Sequence, residues 1–192
     1  MTVDIKHLNY EAYLALPEMK QRYSIVDGEL MMAAAPTPDH QTIVQEVFVK
    51  LDYFVREHRL GRLFLAPLDV VIRRDPLRTR QPDLLFISNA RRYIIGLQVI
   101  EGGPDLVIEV LSPTNVLSPT NTRRELTEKL QDYQAIGVHE AWIVGPQGRT
   151  VEVLQLSPER SERCGLYGLG DAIVSQVLPE FHLTVNECFP EL

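Results

Sequence analysis

The chain has 192 residues, 45% of them hydrophobic, and a formal net charge of −7. That length can bury the core of one domain, no apolar run is long enough to span a bilayer, and the acidic balance argues against binding nucleic acid through a broadly basic surface. Cys164 and Cys188 give neither a metal-ligand spacing nor a disulfide framework, and the first ten residues lack the regions of a secretory signal. Together these set the expectation of a cytoplasmic protein with no membrane association.

In chain order, residues 9–16 predict a short helix ended by Pro17, packing as an N-terminal lid. Tyr23-Ser24-Ile25-Val26, Asp27-Gly28 and Glu29-Leu30-Met31-Met32 read as a hairpin, because Asp-Gly favours a tight primed turn. Thr37-Pro38 opens a long helix, with the threonine as N-cap and the proline at the first helical position. Ile43, Val44, Val47, Phe48, Leu51, Phe54 and Val55 keep helical spacing, and Gly61 stands beyond them as the stop. His40 lies on the buried side of the first turn, where a core or capping histidine is the commoner case.

Residues 63–65 and 70–72 read as a strand pair around Pro67, followed by a polar, arginine-rich loop. Residues 89–100 are irregular. A helix is predicted over 122–135 with Leu126, Leu130 and Tyr133 at core spacing, and Lys129 and Tyr133, four apart, on one side of it. Gly137 ends that helix. Residues 140–144 then form a strand turned at Gln147-Gly148 into 150–154, and residues 165–189 give short strands and a closing turn. No linker divides the chain, so one domain over 1–192 is expected: a mixed β-sheet with helices packed on it.

Two strands carry acids. Leu106, Val107, Ile108, Val110 and Leu111 form a run suited to a strand buried on both faces, and Glu109 sits inside it, on the face of Asp105, Val107 and Leu111. A buried carboxylate costs several kcal/mol unless a cation, a hydrogen-bond network or a proton offsets it. The second strand, entered through Gln81-Pro82, has Asp83 at its start. Two acids on neighbouring strands suit a hard divalent cation, and with a lysine nearby they fit metal-assisted phosphodiester hydrolysis. Arg73-Arg74, Arg78, Arg80, Arg91-Arg92 and Arg123-Arg124 flank these segments and are candidates for a phosphate-facing rim. The segment Val110–Asn115 is repeated residue for residue in 116–121, which lengthens the loop after Glu109 and places extra chain above the proposed site.

The residues also carry a family resemblance, through Asp27-Gly28-Glu29, His40, Pro82-Asp83, the run from Pro104 to Pro113, Lys129, Tyr133, Gly137-Val138 and Trp142-Ile143-Val144. In order and spacing these resemble the Uma-type restriction endonuclease family, a branch of the PD-(D/E)XK nuclease superfamily, over nearly the whole chain. The resemblance implies a restriction endonuclease-like α+β core with Asp83 and Glu109 as the motif acids and metal ligands. The superfamily's lysine, two residues after the glutamate, would fall at Leu111; in this family it is expected on the next helix, at Lys129. Glu29, His40 and Tyr133 are further site candidates.

The expected function is a Mg²⁺- or Mn²⁺-dependent endodeoxyribonuclease acting on DNA, for which a two-fold homodimer would suit double-strand cutting. The alternative is a nuclease-fold module that binds nucleic acid or protein without cleaving, a reading the acidic net charge favours.

Overall fold

The structure is a computed structural model that describes residues 8–16, 22–33, 35–112 and 119–189. Helix α1 (Tyr10–Leu14) starts at Asn9, whose side chain accepts the Ala12 N–H; Pro17, expected to end it, lies outside the described residues. Strands β1 (Tyr23–Val26) and β2 (Glu29–Met32) make the expected hairpin. Asp27 and Gly28 take φ of 52° and 82°, the left-handed values a primed turn requires.

Helix α2 (Pro38–Glu57) begins as its sequence dictates, with the Thr37 side chain capping the His40 N–H and Pro38 in the first turn. Its end differs from expectation. The chain leaves the helix through His58 and Arg59, and Arg59 takes the positive φ of 53°. Gly61 instead opens strand β3 (Gly61–Leu65), where a Cβ would stand 2.1 Å from the Ile87 carbonyl oxygen. The glycine serves a close strand approach, not a helix stop.

The pairing expected between 63–65 and 70–72 does not form. Strand β4 (Val70–Arg74) pairs with β5 (Leu77–Arg80), in the stretch read as a polar loop, while β3 pairs antiparallel with β6 (Leu84–Ser88). The reason is that β5 buries Leu77 and Thr79 and has its arginines neutralised by acids, so a segment polar in sequence is sheet in space.

A 3₁₀ turn (Asn89–Ile94) leads toward β7 (Leu106–Val110), followed by α3 (Pro119–Ala135), β8 (Glu140–Gly145), β9 (Thr150–Leu156), β10 (Ser161–Tyr167), β11 (Ala172–Ile173), β12 (Leu183–Thr184) and α4 (Val185–Cys188). The main sheet has six strands in the order β10-β9-β8-β7-β6-β3, mixed because β7 and β8 run parallel and the other pairs antiparallel. A second sheet, β2-β1-β5-β4, stands beside it, and Leu8 and, from α1, Tyr13 pack there against Ile25, Val71 and Leu77. α2 covers one face of the main sheet, over Leu106, Ile108 and Val110; α3 covers the other, over Val107, with Leu126, Leu130 and Tyr133. Glu109 thus faces α3. Residues 113–118, half of the duplicated stretch 110–121, lie outside the described residues, and α3 begins within its second copy. No helix among the described residues is long and apolar enough to cross a membrane.

Candidate active site

Register brings the two acids together. Leu84 of β6 stands opposite Ile108 of β7, so one further step sets Asp83 against Glu109 on the same face. Asp83 Oδ2 accepts the Val110 N–H at 2.9 Å, tying the entrance of one strand to the exit of the other. Both carboxylates line a cavity of about 400 Å³ together with Arg22, His40 and Lys129.

Each acid is buried, 4% exposed, and each meets donors from other elements. Lys129, from α3, places Nζ 2.7 Å from Glu109 Oε2, and Tyr133, one turn on, donates its hydroxyl to Oε1 at 2.5 Å. Arg22, just before β1, donates from Nη1 to Asp83 Oδ1 at 2.8 Å and from Nη2 to the Gln81 carbonyl at 2.9 Å. His40 Nε2 lies 3.3 Å from Asp83 Oδ1, and neither buried ring nitrogen makes an aligned hydrogen bond.

The charges follow from these neighbours. Burial pushes the Asp83 carboxyl up, but His40, Arg22 and the Val110 N–H outweigh it and hold the group below its ordinary value. Burial pushes the Lys129 ammonium down, and the Glu109 carboxylate, helped by Asp83, more than reverses that, so Lys129 is cationic at neutral pH. Tyr133 is raised well above its ordinary value by burial and by the Glu109 charge, and remains a hydrogen-bond donor.

The structure therefore brings Asp83, Glu109, Lys129, His40 and Tyr133 together. Glu29 is not among them: it is exposed at the start of β2, paired across the hairpin with Val26, and does not line the cavity. Leu111 lines the cavity at its apolar edge and packs with the core under α3. The arginine rim is corrected in large part. Arg73 pairs with Asp27, Arg74 with Glu101 at 2.8 Å, and Arg78 and Arg80 with Asp132 of α3 at 2.7 and 2.6 Å. Arg91 donates to the Gly137 carbonyl, and Arg124 pairs with Glu128. Charges that look free along the chain are used to join β5 to α3 and to close turns. Arg22 and Asp132 were missed by sequence reasoning. Neither sits in a motif, and only the pairing of β1 with β5, which leads into Gln81 and Asp83, brings Arg22 to the site.

A mixed sheet with helices on both faces is the restriction endonuclease-like architecture. The chain belongs to the Uma2 family, described as "Putative restriction endonuclease", whose family model matches residues 10–186. A crystal structure of a protein from Anabaena variabilis, described as a putative nuclease belonging to DUF820, shares the fold at a TM-score of 0.74 and 22% identity, over 95% of this chain and 97% of that one. No curated protein matches the chain.

Proposed function

We propose that the protein is a metal-dependent DNA endonuclease in which Asp83 and Glu109 hold Mg²⁺ or Mn²⁺ and Lys129 acts on the phosphate. The observation that carries this reading is the convergence of two carboxylates and an ammonium, 83, 109 and 129 in the chain, on one cavity. The donor set suits such an ion. Among the described residues Glu109 receives one hydrogen bond on each oxygen, and a carboxylate oxygen has a second lone pair to offer. Mg²⁺ takes one or two carboxylates and completes its shell with water and substrate phosphate, a demand that Asp83 and Glu109 on one cavity can meet.

When bound, the ion would polarise the phosphodiester and lower the pKa of a water. The chain's own residues do the rest. Lys129, held cationic beside Glu109, is placed to stabilise charge developing on the phosphate. Tyr133 fixes the Glu109 rotamer, and Arg22 with His40 fixes Asp83. A two-fold dimer would give one site for each DNA strand.

The test is incubation of purified protein with plasmid and with single-stranded DNA, across Mg²⁺ and Mn²⁺. The wild type is expected to nick or linearise the plasmid only with metal, and Asp83→Ala to leave it intact. A folded wild type that cuts neither substrate with either ion overturns the enzyme in favour of a non-cleaving binding module.

A further inference from the structure

Most of the expected rim is tied up in ion pairs, and the arginines left uncompensated among the described residues are Arg92 and Arg123 of that rim with three others outside it. Among the described residues Arg59, Arg62, Arg92, Arg123 and Arg149 have no carboxylate within 4.0 Å. The first three line one cavity of about 450 Å³, built by the end of α2, the start of β3 and the 3₁₀ turn after β6. Arg56 joins them, paired with Asp52, the one acid in the lining, at 2.7 Å. In a chain of net charge −7, three uncompensated guanidiniums facing one cavity repel one another and leave it strongly positive.

The platform beneath them is fixed. Asn89 donates from its side chain to the Arg59 carbonyl at 2.6 Å and from its backbone to the Leu60 carbonyl at 2.9 Å. Arg59 keeps φ at 53°, a value that glycine or asparagine would adopt at lower cost. Guanidinium groups offer planar, paired donors that match phosphate oxygens. The pocket takes in Asn89, just past the end of β6 remote from Asp83, and Gly61, which pairs with the last β6 residue. Five residues of strand at ~3.3 Å each put that end of β6 about 17 Å from Asp83. One nucleic-acid strand advances ~3.4 Å per base, so that gap equals about five base steps.

We propose that Arg59, Arg62 and Arg92 form a phosphate-binding exosite that grips the nucleic-acid backbone about five base steps from the acid pair. The nature of the polyanion rests on the nuclease reading; the anion site does not.

The test is fluorescence anisotropy of a labelled duplex in EDTA, where cleavage cannot occur, across a salt series. Removing one arginine–phosphate pair makes the slope of log affinity against log salt shallower by ~0.9. The triple variant Arg59→Ala/Arg62→Ala/Arg92→Ala is therefore expected to bind several-fold more weakly and with a slope shallower by about 2.7. Arg62→Gln alone, on an exposed strand residue, should remove about 0.9, which keeps the test open if the triple variant melts early. Unchanged affinity and slope overturn the exosite, as does a wild type that binds no duplex. Inorganic phosphate is titrated in parallel: if it binds the wild type and not the variant while duplex binding is equal in both, the pocket serves a free phosphate and the backbone exosite is wrong. Plasmid cleavage separates the two ideas. A wild type that does not cut but shows the arginine-dependent slope keeps the exosite and loses the nuclease; one that cuts with no such slope does the reverse.

Discussion

At the scale of single residues, Glu109 is an acid that a strand interior tolerates only because Lys129 and Tyr133 each supply a donor. Tyr133→Phe keeps the ring packing but leaves Glu109 Oε1 without its partner, so it should destabilise the fold by about 1–3 kcal/mol, measured by denaturant unfolding. A change below the error of that measurement would mean that water replaces the hydroxyl at no cost. Arg22 poses a sharper question, because it supplies the fixed positive charge on Asp83 that a metal ion would supply in its place. Arg22→Ala should lower the melting midpoint without metal and enlarge the rise that Mn²⁺ produces, since stabilisation by a ligand grows with its affinity for the folded state. An equal rise in both proteins would show that the arginine and the ion do not compete. Asp83, Glu109 and Lys129 were legible in the sequence because each interrupts an apolar pattern or completes a family motif. His40 was a candidate through the family resemblance alone, because a histidine on a buried helix face has many ordinary uses, and Arg22 was not legible, because the same holds for an arginine before a hairpin.

At the scale of elements, α3 carries both Lys129 and Tyr133, and its position is set by Asp132, which takes Arg78 and Arg80 of β5. Asp132→Ala would leave the buried Arg80 guanidinium without a counter-charge and Arg78 with Asp27 alone, at 3.4 Å, at a cost of about 3–5 kcal/mol; an unfolding free energy within ~1 kcal/mol of wild type would show that α3 is held by its apolar face alone. The same pairs explain why β5 was unreadable. Hydrophobic periodicity cannot mark a strand whose inward positions include Arg80, and without β5 there was no reason to separate β4 from β3. By contrast, the hairpin at Asp27-Gly28, the Thr37-Pro38 helix start and the β8–β9 turn were legible because each depends on local backbone chemistry. Helix α4 shows such chemistry at a helix start, where Glu187 accepts from the Thr184 N–H and hydroxyl and pairs with Lys50. The Thr184 N–H and the Lys50 ammonium, ahead of the Thr184 hydroxyl, lower the Glu187 carboxyl to about 2. A carboxylate depressed in the folded state adds stability above its unfolded value of ~4.3 and loses it as pH falls through the folded one. Melting midpoints should therefore fall between about pH 5 and about pH 2, and Glu187→Gln should make that fall shallower. Identical slopes would assign the acid sensitivity to other carboxylates.

At the scale of the whole molecule, net charge describes this protein poorly. A chain of −7 keeps a buried acid pair with its cations at one end of β6 and a cavity of unpaired arginines at the other. Charge was legible in composition, but its distribution was not, because seven of the ten arginines with a carboxylate partner among the described residues find it on a separate segment of the chain, brought close only by folding. The central claim is a division of labour: two acids for the metal and a helix lysine for the phosphate, with Leu111 standing where a strand lysine would be. The most direct measurement is single-turnover plasmid cleavage by Lys129→Ala, taken with the Mn²⁺-dependent melting shift of the same preparation. The account predicts a rate lower by about 10²–10³-fold with the melting shift retained, while Glu109→Ala loses both. Cleavage by Lys129→Ala at the wild-type rate would contradict it.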